Sequence, residues 1–124
     1  MALNQSLTEV DLPAAADLSA NQYRFLDVDA NGRAAVPTVA GSNGPGIQQN
    51  DPAALDRPTS VAIAGVSKCI AGAAVAAGAK VSTDNQGRGI TAVATHHVRG
   101  QAFTAASAAG ELFEVQLGSL MLLP

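Results

Sequence analysis

The residues whose types could support chemistry are few and lie far apart. Cys69 is the single cysteine, and the only two histidines, His96 and His97, are adjacent. A cysteine nucleophile needs an imidazole beside it, but Cys69 lies in a strand-like run between Lys68 and Ile70, where a small buried thiol is typical. Adjacent histidines on a strand point to opposite faces, and no third histidine exists to complete a zinc site. We therefore predict neither a catalytic thiol nor a metal centre.

The segment Asp27-Val28-Asp29-Ala30-Asn31-Gly32 matches the first half of a calcium-binding loop. It places oxygen-bearing side chains at positions one, three and five and glycine at position six. Position twelve, which supplies the bidentate carboxylate, is Thr38, and Pro37 precedes it. An Asn-Gly pair between strand-forming residues is instead typical of a tight β-hairpin, because both residues tolerate positive φ. We predict a hairpin here and no calcium site.

The remaining candidate motifs lack essential parts. The glycine-rich stretch 41–46 has no phosphate-loop lysine, and the stretch 72–78 has no strand–loop–helix context. Glu111 and Glu114 are three residues apart, so on a strand they would point to opposite faces and could not act as an acid–base pair. No combination of residues indicates catalysis. We expect a protein that is not an enzyme and holds no cofactor.

Composition narrows the class further. The chain has 124 residues, of which 48% are hydrophobic but only 3% aromatic, and its net charge is −3. Scattered lysines and arginines give no basic patch for nucleic acid. No apolar run is long enough to cross a bilayer, and the first twelve residues lack the basic and apolar regions of a secretory signal. A core built largely from alanine buries little area, so we expect association with other chains to supply part of the stability.

The elements that would position these residues are predicted to be strands. Turn signals separate short runs of strand-forming residues, and the alanine- and glycine-rich segment 71–79 is predicted to be a connecting loop. Predicted strands cover residues 23–28, 33–36, 47–49, 60–64, 66–70, 80–83, 88–94, 98–104 and 112–117. The predicted fold is all-β: a small barrel or sandwich of about eight to nine short strands, with an N-terminal arm over residues 1–18 and a single β-rich domain over residues 19–124.

Two segments of the predicted domain look alike. Asp29-Ala30-Asn31-Gly32-Arg33 and Asp84-Asn85-Gln86-Gly87-Arg88 share turn chemistry and flanking strands. Later glycines keep nearly the same spacing, with Gly46 and Gly100 separated by 54 residues. We predict an internal repeat over residues 22–65 and 77–118, in which two similar halves pack together.

The predicted arm carries four apolar side chains: Leu3, Leu7, Val10 and Leu12. Their spacings of four, three and two residues could place an apolar edge on another surface. The alternative is an extra edge strand or cap on the same chain or on a neighbouring copy. Both interpretations stay open at this point.

The order of several segments resembles the capsid cement, or decoration, proteins of tailed bacteriophages. Each segment is rich in small residues and carries little information alone, whereas the order and spacing of the set are fairly specific. The segments are Ser19–Phe25, Asp29–Gly32, Gly46–Asn50 with Pro52, Thr59–Lys68, Ala71–Gly78, Asp84 with Gly87-Arg88, Gly100–Ala102 and Ala105–Glu111.

The resemblance implies a structural virion protein that binds the outer surface of the major capsid shell and stabilises it. It implies a homotrimer at three-fold or quasi-three-fold positions. From the composition we expect assembly in the host cytoplasm and no nucleic acid or membrane as partner. The expected capsid contacts are Leu3, Leu7, Val10 and Leu12. The alternative function is a small β-rich ligand- or carbohydrate-binding module of a phage particle, for which the available stacking aromatics are Tyr23, Phe25, Phe103 and Phe113.

Overall fold

The computed structural model describes the backbone of residues 7–122 and the side chains of residues 7–117. Within that range the chain forms nine strands and no helix, so none of it could cross a membrane as a helix. The strands are β1 (Leu7–Pro13), β2 (Phe25–Val28), β3 (Ala34–Ala35), β4 (Gly46–Gln48), β5 (Pro58–Ile70), β6 (Lys80–Thr83), β7 (Gly89–Thr91), β8 (His97–Ala102) and β9 (Leu112–Leu122). The predicted all-β fold is confirmed, and the strands form a curled antiparallel sheet with the shape of a half-barrel.

Strand β5 is the centre of the sheet. The strand order is β3-β2-β4-β5-β9-β8-β6-β7, and β1 also pairs with β5. The first part of β5 pairs with β1 and β4, and its last six residues pair with β9. The prediction of two separate strands, 60–64 and 66–70, was wrong. Gly65 (φ +98°) continues the strand because it pairs with Leu7 on β1 and with Leu117 on β9.

Both predicted hairpins are confirmed, and an aspartate closes each turn in the same way. The Asp29 Oδ1 atom accepts hydrogen bonds from the backbone N–H groups of Asn31 (2.9 Å) and Arg33 (2.8 Å). The Asp84 Oδ1 atom accepts bonds from the corresponding groups two and four residues later, both at 2.8 Å. Each turn contains a glycine at positive φ, Gly32 at +76° and Gly87 at +83°, a conformation that glycine adopts without steric cost.

The strand pairings of the first half recur in the second half. We call residues 7–64 the N-terminal half and residues 65–122 the C-terminal half. Corresponding pairs are Leu26–Gly46 with Val81–Gly100, Gln48–Val61 with Ala102–Val115, and Asp11–Ser60 with Lys68–Glu114. Positive φ recurs as well, at Tyr23 with Gly78, Gly32 with Gly87, Gly41 with Thr95 and Asp56 with Gly110. In this correspondence β1 matches the last part of β5, and β9 matches the first part of β5.

The buried side chains form two clusters, one within the N-terminal half and one shared by both halves. The smaller cluster belongs to the N-terminal half and consists of Ala14, Leu18, Leu26, Ala34 and Val61, with Leu12 packed against it. The larger cluster surrounds Phe113 and Cys69 in the C-terminal half and also includes Phe25, Ile47 and Ala62 of the N-terminal half. Residues 7–18 of the expected arm are therefore part of this folded unit, as strand β1 and the buried segment that follows it.

The segment 71–79 is a loop without helix, as predicted. Isolated bridges hold its first residue, from Ala71 to Gly89, and its middle, from Val75 to Ala106. Both alanine methyl groups and the Val75 side chain are buried in the larger cluster. Small side chains at these positions allow the loop to pack closely against the sheet.

Candidate functional site

The structure separates the cysteine and the histidines into different environments. Cys69 is fully buried, and burial raises the pKa of its thiol to about 12, so it stays protonated at neutral pH. The Nδ1 atom of His96 lies 2.7 Å from the Ser82 hydroxyl, and the Nδ1 atom of His97 lies 3.2 Å from the Gly41 carbonyl oxygen. Within residues 7–122, no group of three or more His, Cys, Asp or Glu side chains could hold a metal ion.

The carboxylates of the calcium-like segment have different partners. The Asp27 Oδ1 atom accepts a hydrogen bond from the Ser42 hydroxyl at 3.0 Å, whereas Asp29 closes its own turn. Burial raises the pKa of Asp27, while the Ser42 bond and the nearby Arg99 charge oppose that shift. The two carboxylates therefore serve the turn and the contact between the halves, and they do not face a common point.

The two glutamates also act separately. The Glu111 carboxylate accepts hydrogen bonds from the Ser107 N–H (2.8 Å) and hydroxyl (2.7 Å), which lower the pKa of Glu111. Glu114 lies on β9, directly opposite Lys68 on β5. The Glu111 bonds close a surface loop, so the pair forms no acid–base site.

Sequence reasoning missed Arg99, the most deeply buried charge among the residues that the structure describes. Its guanidinium donates hydrogen bonds to the carbonyl oxygens of Leu26 (2.6 Å) and Ser42 (3.2 Å) and lies 3.5 Å from the Asp27 carboxylate. Burial lowers the pKa of Arg99 to about 10, which still leaves it charged at neutral pH. All of these partners belong to the N-terminal half, so Arg99 joins the two halves. No local signal marked it, because a single arginine between Val98 and Gly100 looks like a surface charge.

The predicted capsid-contact residues occupy β1 and the chain before it. Leu7 packs against the larger buried cluster and Leu12 against the smaller one. Val10 lies between them and is 38% exposed. Leu3 lies outside the described residues. Of the three that are described, Val10 alone is an exposed side chain.

Each half has an outward sheet surface, and the two surfaces are built from corresponding positions. We call the surface on the N-terminal half the N-face; it consists of Glu9, Asp11, Gln49, Pro58 and Ser60. These residues come from β1, β5 and the position directly after β4. Asp11 accepts a hydrogen bond from the Ser60 hydroxyl at 3.2 Å. The N-face is polar and acidic, with both carboxylates exposed.

We call the corresponding surface of the C-terminal half the C-face; it consists of Val66, Lys68, Phe103, Leu112 and Glu114. Phe103 and Leu112 are each 51% exposed. The Phe103 N–H donates to the Glu114 carbonyl, as the Gln49 N–H donates to the Ser60 carbonyl, both at 2.8 Å. At corresponding positions the C-face thus has phenylalanine for glutamine, leucine for proline and lysine for aspartate.

Each face borders a shallow, open cleft. The cleft beside the N-face has a volume of about 380 Å³ and is lined by residues 50–53, Arg57 and Pro58. The cleft on the C-face has a volume of about 370 Å³ and is lined by Lys68, Thr104 and Leu112–Glu114. Its lysine ammonium lies 5.7 Å from the centre of the Tyr23 ring. The C-face is the candidate site, because it joins a cleft to exposed apolar side chains. The sequence signal for this site is the difference in residue type at corresponding positions of the two halves. Those positions can be compared only when the strand register is known.

Comparison with known proteins identifies related chains. Residues 5–117 match a family model described as phage cement protein. The head fiber gp8.5 N base of bacteriophage phi29 has a similar fold, with a TM-score of 0.69, 16% sequence identity and coverage of 96% of this chain and 100% of that chain. None of the curated proteins matches the chain in sequence. The structural likeness, at this identity, concerns the fold alone.

Proposed function

Because the chain belongs to the phage cement protein family, whose members are structural proteins of the virion, we propose that it binds the outer surface of the major capsid shell and stabilises it. The family match over residues 5–117 carries this proposal. The chain acts without catalysis or cofactor, and its partner is the major capsid protein. It joins the particle in the host cytoplasm.

The physical character of the described residues supports this role. The candidate nucleophile is buried and protonated, and the carboxylates at the turns and loops are bonded to backbone groups. What the surface offers instead is contact area on a curled sheet without a helix in the described range. A shell presents many copies of one binding position, so modest contacts repeated by symmetry hold neighbouring capsomers together through avidity.

Attachment to the shell involves the β1 side of the molecule, with Leu3, Leu7, Val10 and Leu12 as the proposed contact region. Val10 is the exposed member among those described. Leu7 and Leu12 fix the strand to the rest of the protein, because their side chains pack against the two buried clusters. In this proposal the strand is a rigid ridge rather than a free arm, so binding loses little conformational entropy.

The protein acts as a homotrimer at three-fold or quasi-three-fold positions. The buried clusters contain many alanines, and seven large hydrophobic side chains are exposed on the described chain. Association would cover part of this surface and add stability by mass action. A trimer also matches the symmetry of the positions where three capsomers meet.

Sedimentation with capsids tests the function. Purified capsids that lack the protein are mixed with the full chain, pelleted, and then heated while release of DNA is followed. We expect saturable binding and DNA release at a higher temperature than from bare capsids. The chain after heat denaturation is the control. If the folded chain stays in the supernatant at every concentration, the proposal is wrong.

The second candidate is a carbohydrate-binding module of the phage particle. Phe103 favours it, because this ring is half exposed beside an open cleft, whereas Phe25 and Phe113 are buried. Aromatic rings that reach solvent can stack on sugars while nearby polar groups bond the hydroxyls. Binding to a glycan array, abolished by Phe103→Ala, together with no binding to capsids, would support this candidate over the first.

A further inference from the structure

The two halves provide an internal comparison for every exposed residue. Phe103 and Gln49 occupy corresponding positions, since each donates its N–H to the strand residue opposite. Leu112 corresponds to Pro58 in the same way, through their pairing with Ile70 and Pro13. The fold therefore accepts glutamine at the position that corresponds to Phe103 and proline at the position that corresponds to Leu112. An exposed phenylalanine and leucine in the C-face are not required by the sheet itself.

The charges of the two faces differ at corresponding positions as well. Asp11 on β1 corresponds to Lys68 on β5, and Glu9 corresponds to Val66. The N-face thus exposes two carboxylates, and the C-face exposes one lysine, which lies opposite Glu114, beside its apolar pair. One face is acidic and polar, whereas the other is apolar and carries a cation at the position of Asp11. An N-face is therefore a better electrostatic partner for Lys68 than for another N-face.

We propose that the C-face of one copy docks on the N-face of a second copy, so that identical chains associate head to tail. This inference rests on the proposed trimer and names the two surfaces that contact each other in it. Phe103 and Leu112 form the apolar centre of the contact, and Lys68 approaches the partner's carboxylates at the positions of Glu9 and Asp11.

A contact between two different faces can close into a ring. The contact is heterologous, because it joins two different surfaces of the same chain, and heterologous contacts form either closed rings or open filaments. A three-membered ring uses every N-face and every C-face once. An isologous dimer of N-faces would instead bring the carboxylates of two copies together.

The test compares matched variants of the full chain by light scattering and sedimentation velocity. The wild-type trimer is expected at about 37 kDa, three times the 12.4 kDa of one chain. The double variant Phe103→Gln with Leu112→Gln gives the C-face the polar character of its counterpart. We expect it to raise the dissociation constant at least about tenfold while circular dichroism stays unchanged.

The control variant removes apolar side chains from another surface. Val39 and Val93 are also exposed, by 66% and 55%, and lie at corresponding positions in the loops after β3 and β7. Val39→Gln with Val93→Gln should leave the assembly intact. Equal loss of assembly in the control and in the C-face variant would show a general solubility effect and would overturn the proposal.

A charge exchange tests the pairing of the two faces directly. Lys68→Glu should weaken assembly, because it places a carboxylate opposite Glu9 and Asp11 of the next copy. Adding Asp11→Lys to the same chain should restore assembly at least partly. If the exchange variant is no better than Lys68→Glu alone, the faces do not pair as proposed.

These results separate the inference from the function on which it rests. If the wild-type chain is trimeric and all C-face variants remain trimeric, the face assignment fails and the trimer stands. If the wild-type chain is a monomer both in solution and on capsids, the trimer and the face assignment fail together. Capsid binding by that monomer would still support the cement function.

Discussion

The guanidinium carbon of Arg99 lies 4.8 Å from the centre of the Phe25 ring, although the two residues belong to different halves of the chain. Strands β8 and β2, which carry them, are not neighbours in the sheet order. The contact therefore crosses the interior of the curled sheet. It joins a cation–π interaction to hydrogen bonds with two carbonyl oxygens of the opposite half, and such contacts are strongest when desolvated.

Replacing Arg99 should therefore destabilise the whole molecule. Arg99→Met keeps much of the side-chain volume but leaves two carbonyl oxygens without their donor and the Asp27 carboxylate without its cation. We expect the free energy of unfolding, measured by urea denaturation, to fall by about 3 kcal/mol. Arg99→Lys keeps the charge but has no planar fork, so it should recover only part of the loss. A full-stability Arg99→Met variant would contradict this role.

Ionisation of Asp27 should make the stability of the protein depend on pH. Burial raises the pKa of this carboxyl above 3.8, so the folded state binds the proton more tightly than the unfolded chain. The contribution of Asp27 to stability therefore decreases as pH rises from below 3.8 through the raised pKa. In thermal melting from acid to neutral pH, wild type should therefore lose stability relative to Asp27→Asn, which mimics the protonated carboxyl.

Glu111 gives the matched control with the opposite sign. Its pKa is lowered by the Ser107 bonds, so the difference between wild type and Glu111→Gln should grow as pH rises through the ordinary range of a glutamate. Parallel pH profiles for Asp27→Asn and Glu111→Gln would refute the assignment of these shifts.

The Cys69 thiol should be unreactive in the folded protein. It is fully buried, and its pKa of about 12 leaves almost no thiolate at neutral pH. We expect labelling by an aromatic disulfide reagent to be at least about a thousand times slower in buffer than in urea, because reaction requires unfolding. Rapid labelling of the native chain would mean that the C-terminal half opens readily.

The two turn aspartates should differ in importance. Asp29→Ala removes two backbone hydrogen bonds, and we expect a loss of roughly 0.5–2 kcal/mol in the free energy of unfolding. Asp84→Ala should lose more, because the Asp84 carboxylate also bonds Arg88 Nε at 2.9 Å. Calcium should leave the melting temperature of wild type unchanged. A rise of several degrees with calcium would restore the metal interpretation of residues 27–32.

Deletion and point substitution should separate the two roles of β1. Removing residues 2–12 exposes the edge of β5 and removes Leu12 from the smaller cluster, so the melting temperature should fall. Leu12→Ala alone should cost about 2 kcal/mol. Val10→Ser should shift the melting temperature by less than about 3 °C and weaken sedimentation with capsids. If Val10→Ser binds capsids as well as wild type, attachment lies elsewhere, and the loops 40–57 and 71–79 become the next candidates.

Local turn chemistry made the hairpins predictable, whereas strand partners were not. Asp29 and Gly32 carry their signal within five residues, and the same is true of Asp84 and Gly87. In the sequence, Gly65 predicts a break, because a glycine weakens an isolated strand. Its partners on β1 and β9 are each more than fifty residues away from Gly65 in the sequence. Only their pairing with Gly65 shows that the strand continues.

The pairing of β1 and the burial of Arg99 also could not be predicted from local sequence. The spacing of Leu7, Val10 and Leu12 is irregular for a strand, because the register of β1 shifts between Thr8 and Glu9. The burial of Arg99 depends on the carbonyl of Leu26, which is 73 residues away in the sequence. Neither feature has a local pattern, so both required the assembled sheet.

The first part of β5 is the last strand of the N-terminal half, and its last part is the first strand of the C-terminal half. No linker separates the halves, and their backbone hydrogen bonds form one continuous ladder through Gly65. A load applied to either half is therefore transmitted to the other through the backbone without passing a hinge. In the proposed role on a shell under internal pressure, this continuity would let the chain resist force as one mechanical unit.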